Sequence, residues 1–232
     1  MAKTLNSGQT CVAPDYILCP KDKKEAFIEA YAEAFFRMYP NFSESLDYSS
    51  IINDQQYQRL QGLLQQAEAQ GAKLIKISST TKTAVQPRKM APILIDDVQD
   101  DMRIMQEELF GPLLPIIGYT ELNEAIDYIN KRPRPLALYI FSFDKKVQDN
   151  IVYNTHSGSV CINNTMTHLA QDDMPFGGVG QSGMGCYHGH EGFLTFSKAK
   201  GIHKVGRVNS AKMVLPPYGS FIHRLLYRLF IR

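Results

Sequence analysis

Closely spaced cysteines are missing from this sequence. None of Cys11, Cys19, Cys161 and Cys186 forms a CxxC pair, which argues against a disulfide framework or a zinc site and for reduced thiols. No stretch reaches the roughly 18 apolar residues of a membrane span. Met1 to Leu5 hold no apolar signal core, so a cytoplasmic location is expected. Repeats and low-complexity segments are lacking too, and with 44% hydrophobic and 21% charged residues the composition is that of a folded globular protein. A net charge of +2 gives no surplus of bases for a nucleic-acid partner, and none is expected. One shortage is local. Between Ser197 and Arg232 there is no Asp or Glu, while eight Lys and Arg side chains lie there, so this tail is suited to an acidic surface.

The 232 residues can bury one large domain or two small ones, and one domain followed by a tail is the expected organisation. Phe27, Tyr31, Ala34, Phe35 and Met38 recur at helical spacing over 21–39, and Pro40 stops that helix. A second helix is predicted from Asp54 to about Gln70, with Tyr57, Leu60, Leu64 and Ala67 on one face and Gly71 as its stop signal. Strands are predicted at 73–77, 93–95, 113–119, 137–143 and 159–162. Pro115 inside one of them is expected only at an edge or an irregularity. Thr120 is read as the cap of a helix carrying Leu122, Ile126 and Ile129 and ending at Pro133, and Asp144 opens another. Strands alternating with helices imply an α/β fold with a largely parallel sheet flanked by helices.

Candidate chemistry begins at Cys11, in the frame Asn6-Ser7-Gly8-Gln9-Thr10-Cys11. Small neighbours let backbone N–H groups approach a sulfur and favour its nucleophilic thiolate. A lone cysteine is more often a buried small hydrophobe, so Cys11 gains weight only beside other features. Two such features are Glu107-Glu108-Leu109-Phe110-Gly111-Pro112 and the glycine-rich run from Met174 to Gly185. Gly178, Gly180 and Gly183 satisfy GxGxxG, but a dinucleotide fingerprint needs a preceding strand, a helix at the third glycine and an acid about 20 residues on. Met174-Pro175 ahead, Gly185 and Gly189 behind and basic residues beyond deny all three. The four carboxylates among 96–101 lack the glycine and closing glutamate of a calcium loop and read as a solvated turn. Cys186 with His188 and His190 reads as loop chemistry, and no metal is expected.

Taken in order, these three segments resemble the aldehyde dehydrogenase superfamily. Pro14-Asp15-Tyr16, Ile51-Ile52-Asn53-Asp54, Pro135-Leu136-Ala137-Leu138-Tyr139, Tyr187-His188-Gly189 and Phe193-Leu194-Thr195-Phe196-Ser197 look like its class 3 branch, which includes the coniferyl aldehyde dehydrogenase type. The likeness extends to Pro216-Pro217-Tyr218. It implies a catalytic domain over 1–199, an oligomerisation arm and basic tail over 200–232, and an absent N-terminal nucleotide-binding domain. It also implies that Cys11 is the nucleophile, that Glu108 accepts hydrogen bonds from the nicotinamide ribose, and that Phe110 packs on the cofactor, NAD or NADP. Asn6, Thr10, Val12 and Phe176 would line the aldehyde. The loop from Asn163 to His168 follows the last strand, where ligands meet parallel sheets. Thr167 and His168 either shape the substrate mouth there or are simply solvated. The implied reaction oxidises an aldehyde to an acid through a cysteine thiohemiacetal and thioester. The family's water-activating glutamate and oxyanion asparagine precede the segment matching Cys11, so the chain alone is expected not to turn over.

The arm at 200–214 resembles a strand that pairs across a dimer, implying a homodimer or a mixed dimer with full-length subunits. Beyond it, Phe221, Ile222, Leu225, Leu226, Leu229 and Phe230 recur opposite His223, Arg224, Tyr227 and Arg228. Such a basic amphipathic helix either lies on a membrane interface or packs on its own enzyme, the arrangement its short length favours. Two other readings stand beside the enzyme. One is an inactive truncated subunit that acts only as a dimerisation module; the other is a thiol acyltransferase or esterase, for which no Cys-His-Asn signature is recognisable.

Overall fold

A computed structural model describes residues 1–77, 86–209, 211, 213 and 215–230. The chain divides into two compact units, Met1–Thr195 and Phe196–Arg232. In the first, β1 (Ile17–Pro20) leads into α1 (Lys24–Met38), followed by α2 (Asp54–Ala69), β2 (Lys73–Lys76), β3 (Ile93–Asp96) and β4 (Leu113–Tyr119). Then come α3 (Leu122–Asn130), β5 (Ala137–Ile140), α4 (Lys145–Asn154), β6 (Ser159–Ile162) and α5 (Gly189–Thr195). Four strands form one sheet in the order β1-β4-β3-β2, and β5 and β6 pair in parallel as a second sheet.

The expected α/β fold is present, but the larger sheet is mixed. β4 runs parallel to both β1 and β3, whereas edge strand β2 is antiparallel to β3. Lys73 and Lys76 keep this edge charged, which discourages pairing with another chain.

Period-two alternation sorts the side chains of the sheet onto two helical layers. Ile93, Ile95 and Leu113 pack with Leu60, Leu63, Leu64 and Ala67 of α2. Leu94, Leu114 and Ile116 point the other way, into a cluster with Phe35 of α1, Phe42 and Tyr48. The predicted face of α2 is therefore the buried one, and Leu63 widens it. Tyr48 is buried yet satisfied, its hydroxyl donating to the Met90 carbonyl at 2.9 Å.

Pro115 lies not at an edge but at the other place expected for it, an irregularity, where β4 changes partner from β3 to β1. It pairs with Ile95 of β3, one residue before the ladder to β1 opens at Ile116 opposite Ile17, so its missing N–H falls outside that ladder. Several local expectations are corrected. β5 stops at Ile140 because β6 offers no partner beyond Ile162; past that point Asn163 folds back, its Oδ1 accepting from the Ser142 N–H at 2.9 Å. Glu121, not Thr120, precedes α3, and the Thr120 N–H is taken by the Glu124 carboxylate at 3.0 Å. The acidic turn is paired rather than merely solvated. Lys24 holds the buried Asp96 at 2.7 Å, Lys73 holds Asp97 at 2.7 Å, and Asp100 is bound by Arg132 and the Tyr128 hydroxyl.

The second unit holds α6 (Phe221–Phe230). Ser220 caps it, since its carbonyl accepts from the Arg224 N–H at 3.2 Å and its Oγ from the His223 N–H at 3.3 Å. Of the arm expected to form a strand over 200–214, residues 200–206 have no regular structure within the chain, as a lone strand lacks partners for its N–H and C=O groups. Ser210, Lys212 and Val214 lie outside the described residues.

Candidate active site

The segment bearing Cys11 is bent by three successive left-handed residues, Asn6 (φ 50°), Ser7 (φ 55°) and Gly8 (φ 72°). Two of them carry side chains, which disfavour this region, so the surroundings must hold the bend. Ser7 is fully buried and donates from Oγ to the Ser49 carbonyl. Gln9 works like a short piece of strand. Its Nε2 donates to the Ser50 carbonyl at 3.2 Å while its Oε1 accepts from the Ile52 N–H at 2.9 Å. Asn6 braces the same bend, donating from Nδ2 to the Gln9 carbonyl at 3.1 Å. Gly8 lies so near the next segment that a Cβ on it would sit 2.5 Å from the Gly111 carbonyl oxygen. The outcome is an exposed Cys11 on a braced turn, with Val12 buried directly behind it.

Against this turn lies the stretch that enters β4. Asp15 accepts on Oδ1 from the Leu109 N–H at 3.3 Å and from the Lys3 ammonium at 3.4 Å. Lys3 is buried, and desolvation holds its pKa below the usual lysine value despite the attraction of Asp15. From α2, Arg59 reaches the Glu108 carbonyl at 3.4 Å, the Leu109 carbonyl and the Glu107 carboxylate at 3.5 Å. Glu108 itself is exposed. Its carboxyl is pushed above the usual range by partial desolvation and then by Asp15, with Lys3 and Arg59 opposing. Phe110 also stands at the surface, on a left-handed backbone (φ 47°) that turns it out of the strand direction. A surface carboxylate beside an exposed aromatic ring suits a vicinal diol and a flat heterocycle, so these residues fit the ribose and nicotinamide of the implied cofactor.

A third group reaches the turn from β5 and the loops beyond β6. Tyr139 donates its hydroxyl to the Val12 carbonyl at 2.7 Å. Desolvation pushes its pKa up to about 12. The His168 ring lies edge-on to Tyr139 at 5.9 Å and tilted to Phe176 at 5.8 Å, and Phe176 meets Tyr187 edge-on at 5.6 Å. Both His168 nitrogens are buried without a hydrogen-bond partner among the described residues, and desolvation lowers the pKa of the ring. The glycine-rich run does not open a helix at its third glycine; it makes a single 3-10 turn at Gly180–Ser182 and is closed by a bridge between Phe176 and Tyr187. A Cβ on Gly178 would collide with the Ser182 carbonyl, so this bend requires glycine there.

Of the residues expected at the site, Cys11, Asn6, Glu108, Phe110 and Thr167 are exposed and Thr10 is half-buried. Val12, His168 and Phe176 are buried, so in this conformation they back the wall rather than face a ligand. The Thr10 hydroxyl is buried and unpartnered among the described residues. Thr167 Oγ1 stands 3.6 Å from the Cys161 sulfur. Lys3 and Arg59 organise the site without belonging to any motif read from the sequence, and Gln9, Asp15 and Tyr139 stand within such motifs without a role having been assigned to them. The motifs signal that these three matter, whereas burial and distant partners, which give all five their roles, are not visible in the sequence.

The family model for the aldehyde dehydrogenase family matches residues 1–202. A probable coniferyl aldehyde dehydrogenase of Pseudomonas aeruginosa is 53% identical over 230 residues, 99% of this chain and 48% of that protein. A coniferyl aldehyde dehydrogenase of a Pseudomonas species is 43% identical over 97% of the chain and 47% of its own length. Among solved structures, the substrate-bound state of Staphylococcus aureus AldH matches all of the chain and 49% of that protein, with a TM-score of 0.80 at 40% identity. The chain thus spans about half the length of the relatives it matches.

Proposed function

The chain belongs to the aldehyde dehydrogenase family, and on that premise we propose that it supplies the thiol half of an NAD(P)-dependent aldehyde dehydrogenase, with Cys11 as nucleophile. The observation that carries the reading is one exposed thiol on a turn braced from three sides, by 49–52, by Leu109–Gly111 and by Tyr139. Rigid placement of a reacting atom is what raises its effective concentration at a substrate.

In the proposed reaction the Cys11 thiolate adds to the carbonyl carbon of an aldehyde, and the Cys11 backbone N–H steadies the oxyanion of the thiohemiacetal. Glu108 would hold the nicotinamide ribose through its hydroxyls and Phe110 would pack against the ring, and such a nucleotide would supply a hydride acceptor for oxidation of the thiohemiacetal carbon. A thioester is left on Cys11, and water releases the acid. Behind the turn the ring of Tyr139 packs edge-on to the buried His168, which in turn meets the buried Phe176, so these rings support the site from within. The names of the coniferyl aldehyde relatives support an aromatic aldehyde as the substrate class. The chain spans about half the length of those relatives, and we propose that oxidation draws also on the part of them that it does not match.

The test is protection of Cys11 from iodoacetamide, followed by peptide mass spectrometry. Coniferaldehyde is expected to slow alkylation of Cys11 in a saturable way, and coniferyl alcohol, which cannot form a thiohemiacetal, is expected not to. Equal protection by the two compounds, or by neither, overturns the reading.

A further inference from the structure

We propose that α6 (Phe221–Phe230) is an interfacial anchor that lies in the headgroup layer of an anionic lipid surface. This is independent of the reading of Cys11. The helix sorts its side chains without exception. At 100° per residue, Phe221, Ile222, Leu225, Leu226, Leu229 and Phe230 fill one half of the circumference, and His223, Arg224, Tyr227 and Arg228 fill the other. Five of these six are exposed, Phe221 by 74%, Leu229 by 64% and Phe230 by 79%, with Ile222 and Leu225 less so and Leu226 half-buried. Five large exposed apolar side chains on one side of a helix this short make a patch that ordinary soluble surfaces do not leave bare.

Charge identifies the occupant. Over the whole stretch from Ser197 to Arg232 there are eight basic residues and no acidic one. A groove on a protein is matched by charges of both signs, which fix register and orientation. A sheet of phosphate headgroups is matched by bases alone, and long basic side chains can reach it while the apolar face enters the acyl boundary. Arg228 stands on the border next to Phe221, where such reach is needed, and Arg224 lies one turn before it, deeper in the polar side. Tyr218 and Tyr227 supply amphipathic rings suited to the same depth, and both are exposed.

The helix is prepared for this role before any surface is met. The buried His223 ties its Nδ1 to Ser220 Oγ at 2.8 Å and meets the Tyr218 ring edge-on at 5.5 Å, locking the first turn. An interfacial helix that is already capped loses less freedom on binding than one that must fold there. At ten residues it is far too short to span a bilayer and long enough to lie along it. No helix among the described residues is long and apolar enough to cross a membrane.

The experiment is flotation of the full chain with vesicles of equimolar phosphatidylglycerol and phosphatidylcholine, against vesicles of phosphatidylcholine alone. Binding to the anionic vesicles is expected to be about tenfold or more tighter, and to weaken in about 1 M salt as the Debye length falls to roughly 3 Å. L225E/L229E should abolish flotation and R224Q/R228Q should weaken it. Hydrogen exchange supplies a second readout. Amides of 221–230 should slow on anionic vesicles while those of α2 (Asp54–Ala69) do not change. Absence of flotation, equal flotation with both vesicle types, or loss of self-association in L225E/L229E without any vesicle binding overturns the proposal; the last result would give the apolar face to a second copy of the chain.

Discussion

Tyr139 donates its hydroxyl proton to the carbonyl of Val12 at 2.7 Å across 127 residues of sequence, tying β5 to the residue that follows Cys11. A phenol is suited to this post because its ring fills the wall while its hydroxyl satisfies a buried carbonyl. Tyr139→Phe is expected to lower stability by about 1 kcal/mol, read by urea unfolding. The same variant should change the alkylation rate of Cys11, the residue whose neighbour it releases. The sign with pH is fixed. Since the folded pKa is raised to about 12 from 10, the advantage of Tyr139 over Phe should be full below pH 10 and shrink only as pH climbs toward 12.

Gly8→Ala should be the most damaging small substitution in the turn. It would place a side chain at φ 72° and set a Cβ 2.5 Å from the Gly111 carbonyl oxygen, where backbone meets backbone and neither can yield cheaply. The expected loss is about 2–4 kcal/mol, measured by urea midpoint. Gly71, also at positive φ (98°) but with open space around it, should cost less on the same change.

His168 gives a test on the acid side. Its folded pKa lies below 6.5 because burial penalises the imidazolium, so below pH 6.5 the unfolded chain binds protons that the folded one does not. Stability should therefore be complete above pH 6.5 and decline as pH falls beneath it. His168→Phe keeps a ring against Tyr139 and Phe176 and removes the titration. The variant should gain on the parent steadily between pH 6.5 and 5, as measured by thermal unfolding across that range.

Glu108 behaves in the opposite sense. Its raised pKa means that the folded state holds a proton longer than the unfolded one, so its contribution is present below pH 4.5 and is lost as pH rises through the folded value. Glu108→Gln should accordingly be neutral to stability at pH 4 and slightly stabilising at pH 7, by an amount that solvent screening keeps small. A variant less stable than the parent at pH 7 would show that Lys3 and Arg59 outweigh Asp15 and desolvation at this carboxyl.

Local signals explain what the sequence made legible. The Leu60, Leu64 and Ala67 stripe marked the buried face of α2, and short apolar runs marked β3, β4 and β6, because periodicity is set by neighbours in the chain. The glycine-rich run was separable from a dinucleotide loop for the same reason: Met174-Pro175 and Gly185 are local obstacles to a strand and a helix. Long-range partners were not legible. Nothing near Asp96 announces Lys24, nothing near Val12 announces Tyr139, and β2 shows no mark of its antiparallel direction until β3 is placed beside it. Pro115 leaves open whether its strand is at an edge or irregular, and only the placement of β1 and β3 on either side of β4 shows that it is the latter.

The most direct measurement of the central claim is acyl transfer to the chain from p-nitrophenyl acetate. The ester delivers its acyl group to a thiolate with release of p-nitrophenolate, leaving the kind of thioester that aldehyde oxidation leaves. Peptide mass spectrometry should find the acetyl group on Cys11 and not on half-buried Cys186 or the buried Cys19 and Cys161, and Cys11→Ser should abolish it. Acetylation that falls on Cys186 instead, or that survives Cys11→Ser at the parent rate, would contradict the account.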